Sequence, residues 1–338
     1  MWSLLQVAGT AAGAPNLPAP PMRMRVQSFL ILVVVASSAG AQDRDRGTLL
    51  FQAGNWEAAR TEFSRMVDLN SRDAHAHYYL ARLGLLSDEP DVAADHLAQA
   101  IDIDPTTSEY HFAYCRALGL QALRASKFKQ PFLARHMRSE CERAVELDSN
   151  NIDARDRLVD FYVRAPGFMG GGVSKALEQS DAIARVSAMR GRLSAARIAI
   201  QQEDAGHAQR ELEAAITFAP DSLRPYLALA SWHIQQKIWS QAFASIDRYL
   251  RQHPDDVYAK YALGRIAAAS GQELARGEQG IRLFLAKPPA DSGTATLSTA
   301  YVQLARVLEH QGRHVDAQGA RDRAAALNPR NEEARLER

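Results

Sequence analysis

Residues 223–254, LRPYLALASWHIQQKIWSQAFASIDRYLRQHP, decide how the whole chain is read. Apolar residues recur at helical spacing on either side of a short break near Lys237, so the stretch predicts two amphipathic helices. Tyr226 stands at the fourth position, Leu229 and Ala230 at the seventh and eighth, Trp239 at the turn, Ala242 at the twentieth and Pro254 at the close. The next step outward is a period of about 34 residues, the length of one common helical repeat. Pro220 precedes Pro254 at that spacing, Pro105 closes ARLGLLSDEPDVAADHLAQAIDIDP, and Pro329 closes LARVLEHQGRHVDAQGARDRAAALNP. Each recurrence keeps small residues where two antiparallel helices would touch.

On these landmarks the chain resembles an exported bacterial tetratricopeptide repeat protein over nearly all of its mature length. Tyr249 departs from the pattern, because the twenty-seventh position usually holds alanine. The resemblance implies an all-α solenoid of about eight helix-turn-helix units forming a right-handed superhelix. Such units bury their apolar faces only against their neighbours, and first helices line a concave surface. No alternating β-branched stretch follows the N-terminal segment, so almost no sheet is expected.

The units fall in order. The first is GTLLFQAGNWEAARTEFSRMVDLN, and the second runs from Ala74 to Pro105. The third starts near Ser108 and carries an insertion near 122–140, read as longer helices around a basic loop at Lys127–Gln130, with Pro131 opening the second helix. The fourth has an enlarged turn at 165–172, APGFMGGG, whose glycines permit positive φ. The fifth is Met189–Pro220, the sixth is the opening stretch, the seventh begins at Val257, and the eighth is Ser298–Pro329. The polar tail NEEARLER is expected to form a partial capping helix.

Met22–Arg25 is a basic head, Phe29–Ala36 an apolar run, and Ala39 and Ala41 the small residues of a cleavage site. Residues 1–41 therefore read as a leader and secretory signal peptide, with translation starting at Met22 or Met24 and the mature chain covering 42–338. The apolar run is shorter than the ~20 residues of a spanning helix, so the mature chain is expected to contain no transmembrane helix. The expected compartment is the periplasm of a Gram-negative bacterium, with extracellular release as the alternative. Cys115 and Cys141 sit on the paired helices of the third unit. They are read either as two buried small hydrophobes, the reading slightly ahead, or as a disulfide, which an oxidising compartment would preserve.

The chain holds no HExxH motif and no paired CxxC. His310 and His314 are four apart but straddle a turn at Gly312, and His75 and His77 point different ways on a helix. GFMGGGVSK lacks the Gly-Lys-Ser/Thr ending of a phosphate loop and follows a helix, so an enzyme using this turn is a remote alternative. No catalytic residue, metal site or cofactor is expected. A net charge of +1 gives no bulk attraction to nucleic acid.

The ninth position of each first helix is expected to face the groove, and reads Arg82, Arg116, Asp160, Arg197, Ser231, Arg265 and Arg306. Tyr78, Phe112, Tyr258 and Tyr261 stand beside them at second or fifth positions. Arginine forks match carboxylates and stack on rings, and Arg and aromatic residues commonly anchor interfaces. The expected partner is a protein or peptide segment, acidic or carboxylate-terminated, with Asp153, Asp156 and Asp160 setting its register. The competing reading is solvated arginines paired with those aspartates or with Glu109. The function expected is a non-catalytic interaction scaffold; the alternative is a structural accessory subunit of an envelope assembly, pilus or polysaccharide-export machine.

Overall fold

The computed structural model describes residues 44–289, 292–329 and 331. The expected leader, signal peptide and start site in residues 1–41 lie outside the described residues, as does the expected capping tail at 332–338. The described residues form sixteen α-helices and no strand, with one short 3-10 turn.

The helices come in pairs: α1 (44–52) with α2 (Trp56–Leu69), α3 (Ala74–Leu86) with α4 (Pro90–Ile103), and α5 (Ser108–Arg124) with α6 (Gln130–Leu147). Then follow α7 (Ile152–Arg164) with α8 (Val173–Val186), α9 (Ala188–Gln201) with α10 (Ala205–Phe218), and α11 (Leu223–Gln235) with α12 (Trp239–Leu250). The last pairs are α13 (Val257–Ser270) with α14 (Leu274–Ala286) and α15 (Thr294–His310) with α16 (His314–Leu327). The basic loop of the third pair is one residue shorter than expected, because Gln130 already belongs to α6. From α3 onward the odd-numbered helices approach one another along the row, while the even-numbered ones stand further apart. The odd helices therefore line the concave face.

Small side chains set the closeness of each pair. Ala81, Ala93 and Ala100, then Ala196, Ala208 and Ala215, then Ala305, Ala317 and Ala324 are all fully buried. They occupy the eighth, twentieth and twenty-seventh positions of the second, fifth and eighth pairs. A bulky residue three before the last alanine fills the space beside them, as Leu97 and Leu212 do, and Ile246 takes that place in the sixth pair. Tyr249 occupies its small position by reaching out of its pair: its hydroxyl donates to Asp256 Oδ2 at 3.0 Å. Asp256 also caps α13 by accepting from the Ala259 N–H at 2.8 Å, so one carboxylate joins the sixth and seventh pairs. Burial, together with this hydrogen bond, pushes the Tyr249 hydroxyl up to about 12. Side chains of Asp73, Asn151 and Ser187 cap α3, α7 and α9 in the same way.

The turn inside a pair needs one residue in the left-handed region. Gly54, Gly271 and Gly312 supply it without a Cβ, whereas Asp88, Glu203 and Lys237 adopt φ of 62°, 62° and 57° at the equivalent place.

The third and fourth pairs break the pattern. Cys115 and Cys141 form a disulfide with Cα atoms 5.4 Å apart, so the reading as two separate buried hydrophobes is corrected. Cys115 takes the small eighth position and Cys141 the place filled elsewhere by Leu97 or Ile246. The sulfur pair thus replaces an alanine–leucine contact at a crossing within bridging range. The glycine-rich turn folds into a 3-10 turn at Gly167–Met169, and it is tied down. Arg138 Nη1 donates to Met169 O at 3.0 Å. A Cβ on Gly171 would lie 1.7 Å from Ala165 O, so no other residue fits there.

The row also meets itself. Asn328 Nδ2, just past α16, donates to Asp88 Oδ2 at 3.0 Å, and Asp88 also pairs with Arg124. Gly293, just before α15, lies against Leu86.

Candidate functional site

The concave side of α5, α7, α9 and α11 gathers a cluster of charged side chains. A cavity of about 360 Å³ is lined by Phe112, by five arginines (Arg116, Arg157, Arg190, Arg197 and Arg224) and by three aspartates (Asp153, Asp156 and Asp160). These side chains converge because one helix turn separates the second, fifth and ninth positions, which stack on one face. Four successive first helices then bring their faces together.

Asp156 is the centre of the paired charges. Arg190 and Arg197 both donate to it, and the Ser194 hydroxyl adds a hydrogen bond at 2.7 Å. Arg190 also reaches Asp153 Oδ1 at 2.6 Å, and Arg197 stands 3.7 Å from Asp160. Burial alone would raise the Asp156 pKa, but the Arg197 charge, the Ser194 hydroxyl and Arg190 outweigh it, holding the carboxyl below its usual range. The aspartates thus neutralise Arg190 and Arg197, the pairing that the competing reading of the arginines describes.

Arg116, Arg157 and Arg224 differ: none makes an ion pair or hydrogen bond with a described residue. Arg116 is solvent-accessible yet enclosed by the groove walls, and desolvation, followed by the nearby Arg157 charge, depresses its pKa. Two like charges held side by side in a concavity favour an anion between them. Next along the groove, a second cavity of about 350 Å³ has an apolar floor of Leu193, Ile200, Ala228 and Trp232, with Arg224 and Ser231 on its wall. The two cavities offer adjoining seats for an acidic and an apolar side chain.

The remaining residues of the expected stripe are placed otherwise. The Arg82 guanidinium lies 4.3 Å from the Phe51 ring centre and 5.6 Å from that of Tyr78, so it serves an aromatic cluster. Tyr78 also packs on Tyr110. Tyr261 stacks on Phe284 of α14 at 4.4 Å, and Tyr258 lies 5.7 Å from the same ring. Arg265 is exposed on α13 and its charge lies close enough to act on Tyr261, whose pKa burial nevertheless raises. Arg306 is half-buried on α15. The structure therefore gathers Arg116, Arg197 and Phe112 and leaves Arg82, Arg265 and Arg306 outside that cavity. Arg190 and Arg224, both at second positions, join the cavity although they lie outside the ninth-position stripe. Arg157 joins it from a sixth position.

Other chemistry is accounted for by local bonding. His310 Nε2 bonds Ala268 O at 3.2 Å, and His314 pairs with Glu309 across the turn at Gly312. His77 and His96 share a hydrogen bond of 3.0 Å, and no group of three metal-ligating side chains occurs among the described residues. At the glycine turn the N–H groups of Gly170, Gly171 and Gly172 donate to Gly167, Pro166 and Tyr162 carbonyls. A phosphate would find none of these donors available, which counts against a phosphate-binding enzyme at this turn. No helix among the described residues is long and apolar enough to cross a membrane.

Residues 44–107 match the tetratricopeptide repeat family. The helix pairs that follow repeat its architecture, and repeats of this kind serve generally as protein–protein interaction scaffolds. Among solved structures, the chain is similar to YrrB, described as a TPR protein with an unusual peptide-binding site, at 20% identity over 54% of this chain and 88% of that one, with a TM-score of 0.41. It is similar to a thermophilic TPR protein of Thermus thermophilus at 17% identity over 68% of this chain and 98% of that one, with a TM-score of 0.43. It is also similar to the C-terminal part of a TPR repeat-containing protein from Cytophaga hutchinsonii, at 13% identity over 86% and 97% of the two chains, with a TM-score of 0.43. Scores this low carry no argument about this chain's partner. No curated protein matches the chain.

Proposed function

We propose that the concave face of α5 to α11 is the binding surface of a non-catalytic scaffold, and that it takes an acidic, extended segment of a partner protein. The observation that carries this reading is the cluster of Arg116, Arg157 and Arg224, which have no carboxylate of their own in a cavity whose other two arginines do. Three arginines held in a concavity supply steering and bidentate recognition of carboxylates. The adjoining apolar floor at Leu193 and Trp232 would seat a neighbouring apolar side chain of the same segment.

Export to the periplasm, or beyond the cell, remains part of the proposal. It is supported by the signal-peptide pattern of residues 22–41 and by the Cys115–Cys141 bridge, a kind of bond that persists in oxidising compartments. The contact of Asn328 with Asp88 favours a second reading, a rigid accessory subunit of an envelope assembly, because closing the row on itself suits a spacer.

The test is a titration of the purified chain with an octapeptide of alternating Glu and Leu, and with its Lys and Leu counterpart, at several salt concentrations. The acidic peptide is expected to bind and to weaken as salt rises, since exposed charges are screened over about 8–10 Å at physiological ionic strength. Equal binding of both peptides, or affinity independent of salt, contradicts the proposal.

A further inference from the structure

The insertion opens a space beside the disulfide. Helix α5 has 17 residues and α6 has 18, whereas α7, stacked on them, has 13. The four extra residues of α5 extend it by about 6 Å at 1.5 Å per residue. The last turn of α5 and the first turn of α6 therefore run past the end of α7. The glycine turn closes over this overhang only in part, because Arg138 and the close approach of Gly171 to Ala165 fix its path.

What remains is a cavity of about 470 Å³ beside the disulfide, within the range of small-molecule sites. Its interior is apolar: Leu120, Ala122, Ala134, Met137, Phe161 and Met169. Its charged lining residues are Arg116, Arg157, Asp160 and Arg164. Arg116 and Arg157 also line the charged cavity of the groove, so they stand where the two spaces adjoin. Leu123, also in its lining, is 79% exposed, a large apolar side chain without cover.

We propose that this cavity binds an aliphatic carboxylate, its alkyl chain among Leu120, Met137 and Phe161 and its carboxylate on Arg116 and Arg157. Charge complementarity chooses the head: the lining holds the guanidiniums of Arg116, Arg157 and Arg164 against the single carboxylate of Asp160, which stands 3.7 Å from Arg197. The interior chooses the tail. A peptide end would carry amide N–H and C=O groups past side chains that offer them no hydrogen bond, and leaving such groups unpaired is costly. An alkyl chain carries none, and burial of each CH₂ contributes about 0.8 kcal/mol. The site shares Arg116, Arg157 and Asp160 with the groove seat and differs from it in its apolar interior and in lacking Arg224.

The experiment is calorimetric titration of the full purified chain with sodium decanoate below its micelle concentration, beside decanol, decyltrimethylammonium and a peptide ending in leucine. Decanoate is expected to bind saturably and at least about tenfold tighter than decanol, a difference of about 1.4 kcal/mol. Decyltrimethylammonium and the peptide are expected not to bind there. Arg116→Gln with Arg157→Gln should bring decanoate down to the level of decanol, and Leu123→Glu, a surface change, should weaken both ligands with the circular dichroism unchanged. Arg224→Gln should leave decanoate binding as it is while weakening the acidic octapeptide, so that failure here is distinguishable from failure of the groove proposal. Equal affinity for decanoate and decanol overturns the proposal. So does indifference to Leu123→Glu and to the arginine pair, or capture of the peptide with decanoate silent.

Discussion

The pairs α9–α16 and the pairs α5–α8 solve the same packing problem differently. In the first region, fully buried alanines such as Ala208 and Ala317 let helices approach. In the second, a disulfide replaces an alanine–leucine contact, one helix overruns its neighbour, and a glycine turn is clamped by Arg138. The regular region gains uniform stability from repetition. The irregular one gains the cavity beside the disulfide and, where it meets α9 and α11, the charged cavity with its uncompensated arginines. Solenoids tolerate this because each pair answers only to its neighbours.

The largest way to break the comparison is to remove the bridge. Cys115→Ala with Cys141→Ala opens a link between residues separated by 26 in sequence, and is expected to cost about 3 kcal/mol. Hydrogen exchange should show lost protection in α5 and α6 while α11 to α14 stay as they were. Uniform loss along the whole row would mean that the two regions are not separable. Next in size is Ala242→Leu in the regular region, where Ala242 is fully buried between α11 and α12. Overpacking that contact is expected to cost about 1–3 kcal/mol. The neighbouring Gln241→Leu, on the exposed face, should stay within about 0.5 kcal/mol. Urea unfolding of both variants checks this, and equal effects would displace the repeat register.

The irregular region also has its own response to acid. The Asp156 carboxyl is held below its ordinary value in the folded state. Its contribution is therefore fully present above the unfolded pKa of about 3.9, and is lost as pH falls through the lower folded value. Asp156→Asn should flatten this acid limb and, by releasing Arg190 and Arg197, tighten binding of the acidic octapeptide at neutral pH. The smallest expected effect is Lys237→Gly in the turn between α11 and α12. Relieving a left-handed lysine should raise the thermal midpoint slightly, for a gain of about 1 kcal/mol.

The fold was legible because period and small-residue spacing are properties of single helices and their immediate partners. Ala81, Ala196 and Ala242 mark the helix crossings by their spacing alone. The disulfide was half legible: the register put Cys115 and Cys141 on facing helices, but the distance between them depends on a crossing that spacing does not measure. The convergence of Arg116 and Arg197 on one cavity was legible through the ninth position. Arg190 and Arg224 stand at second positions, the place that Tyr258 takes in the seventh pair. Arg157 was not legible, because its approach to Arg116 depends on how the short α7 sits against the lengthened α5. Tyr261 and Arg82 carried the right spacing for the groove, yet Phe284 and Phe51 lie within their reach.

The central claim, that the face of α5 to α11 and not that of α13 and α15 recognises an acidic segment, is tested most directly by two double charge reversals titrated with the same octapeptide. Arg116→Glu with Arg224→Glu alters the central cavity, and Arg265→Glu with Arg306→Glu makes the same change of charge in the regular region. Both pairs should keep the helical circular dichroism of the parent. The account predicts that the first pair abolishes measurable binding and that the second stays within about twofold of the parent, a difference of about 0.4 kcal/mol. Loss of binding in the second pair, with the first unaffected, would contradict it.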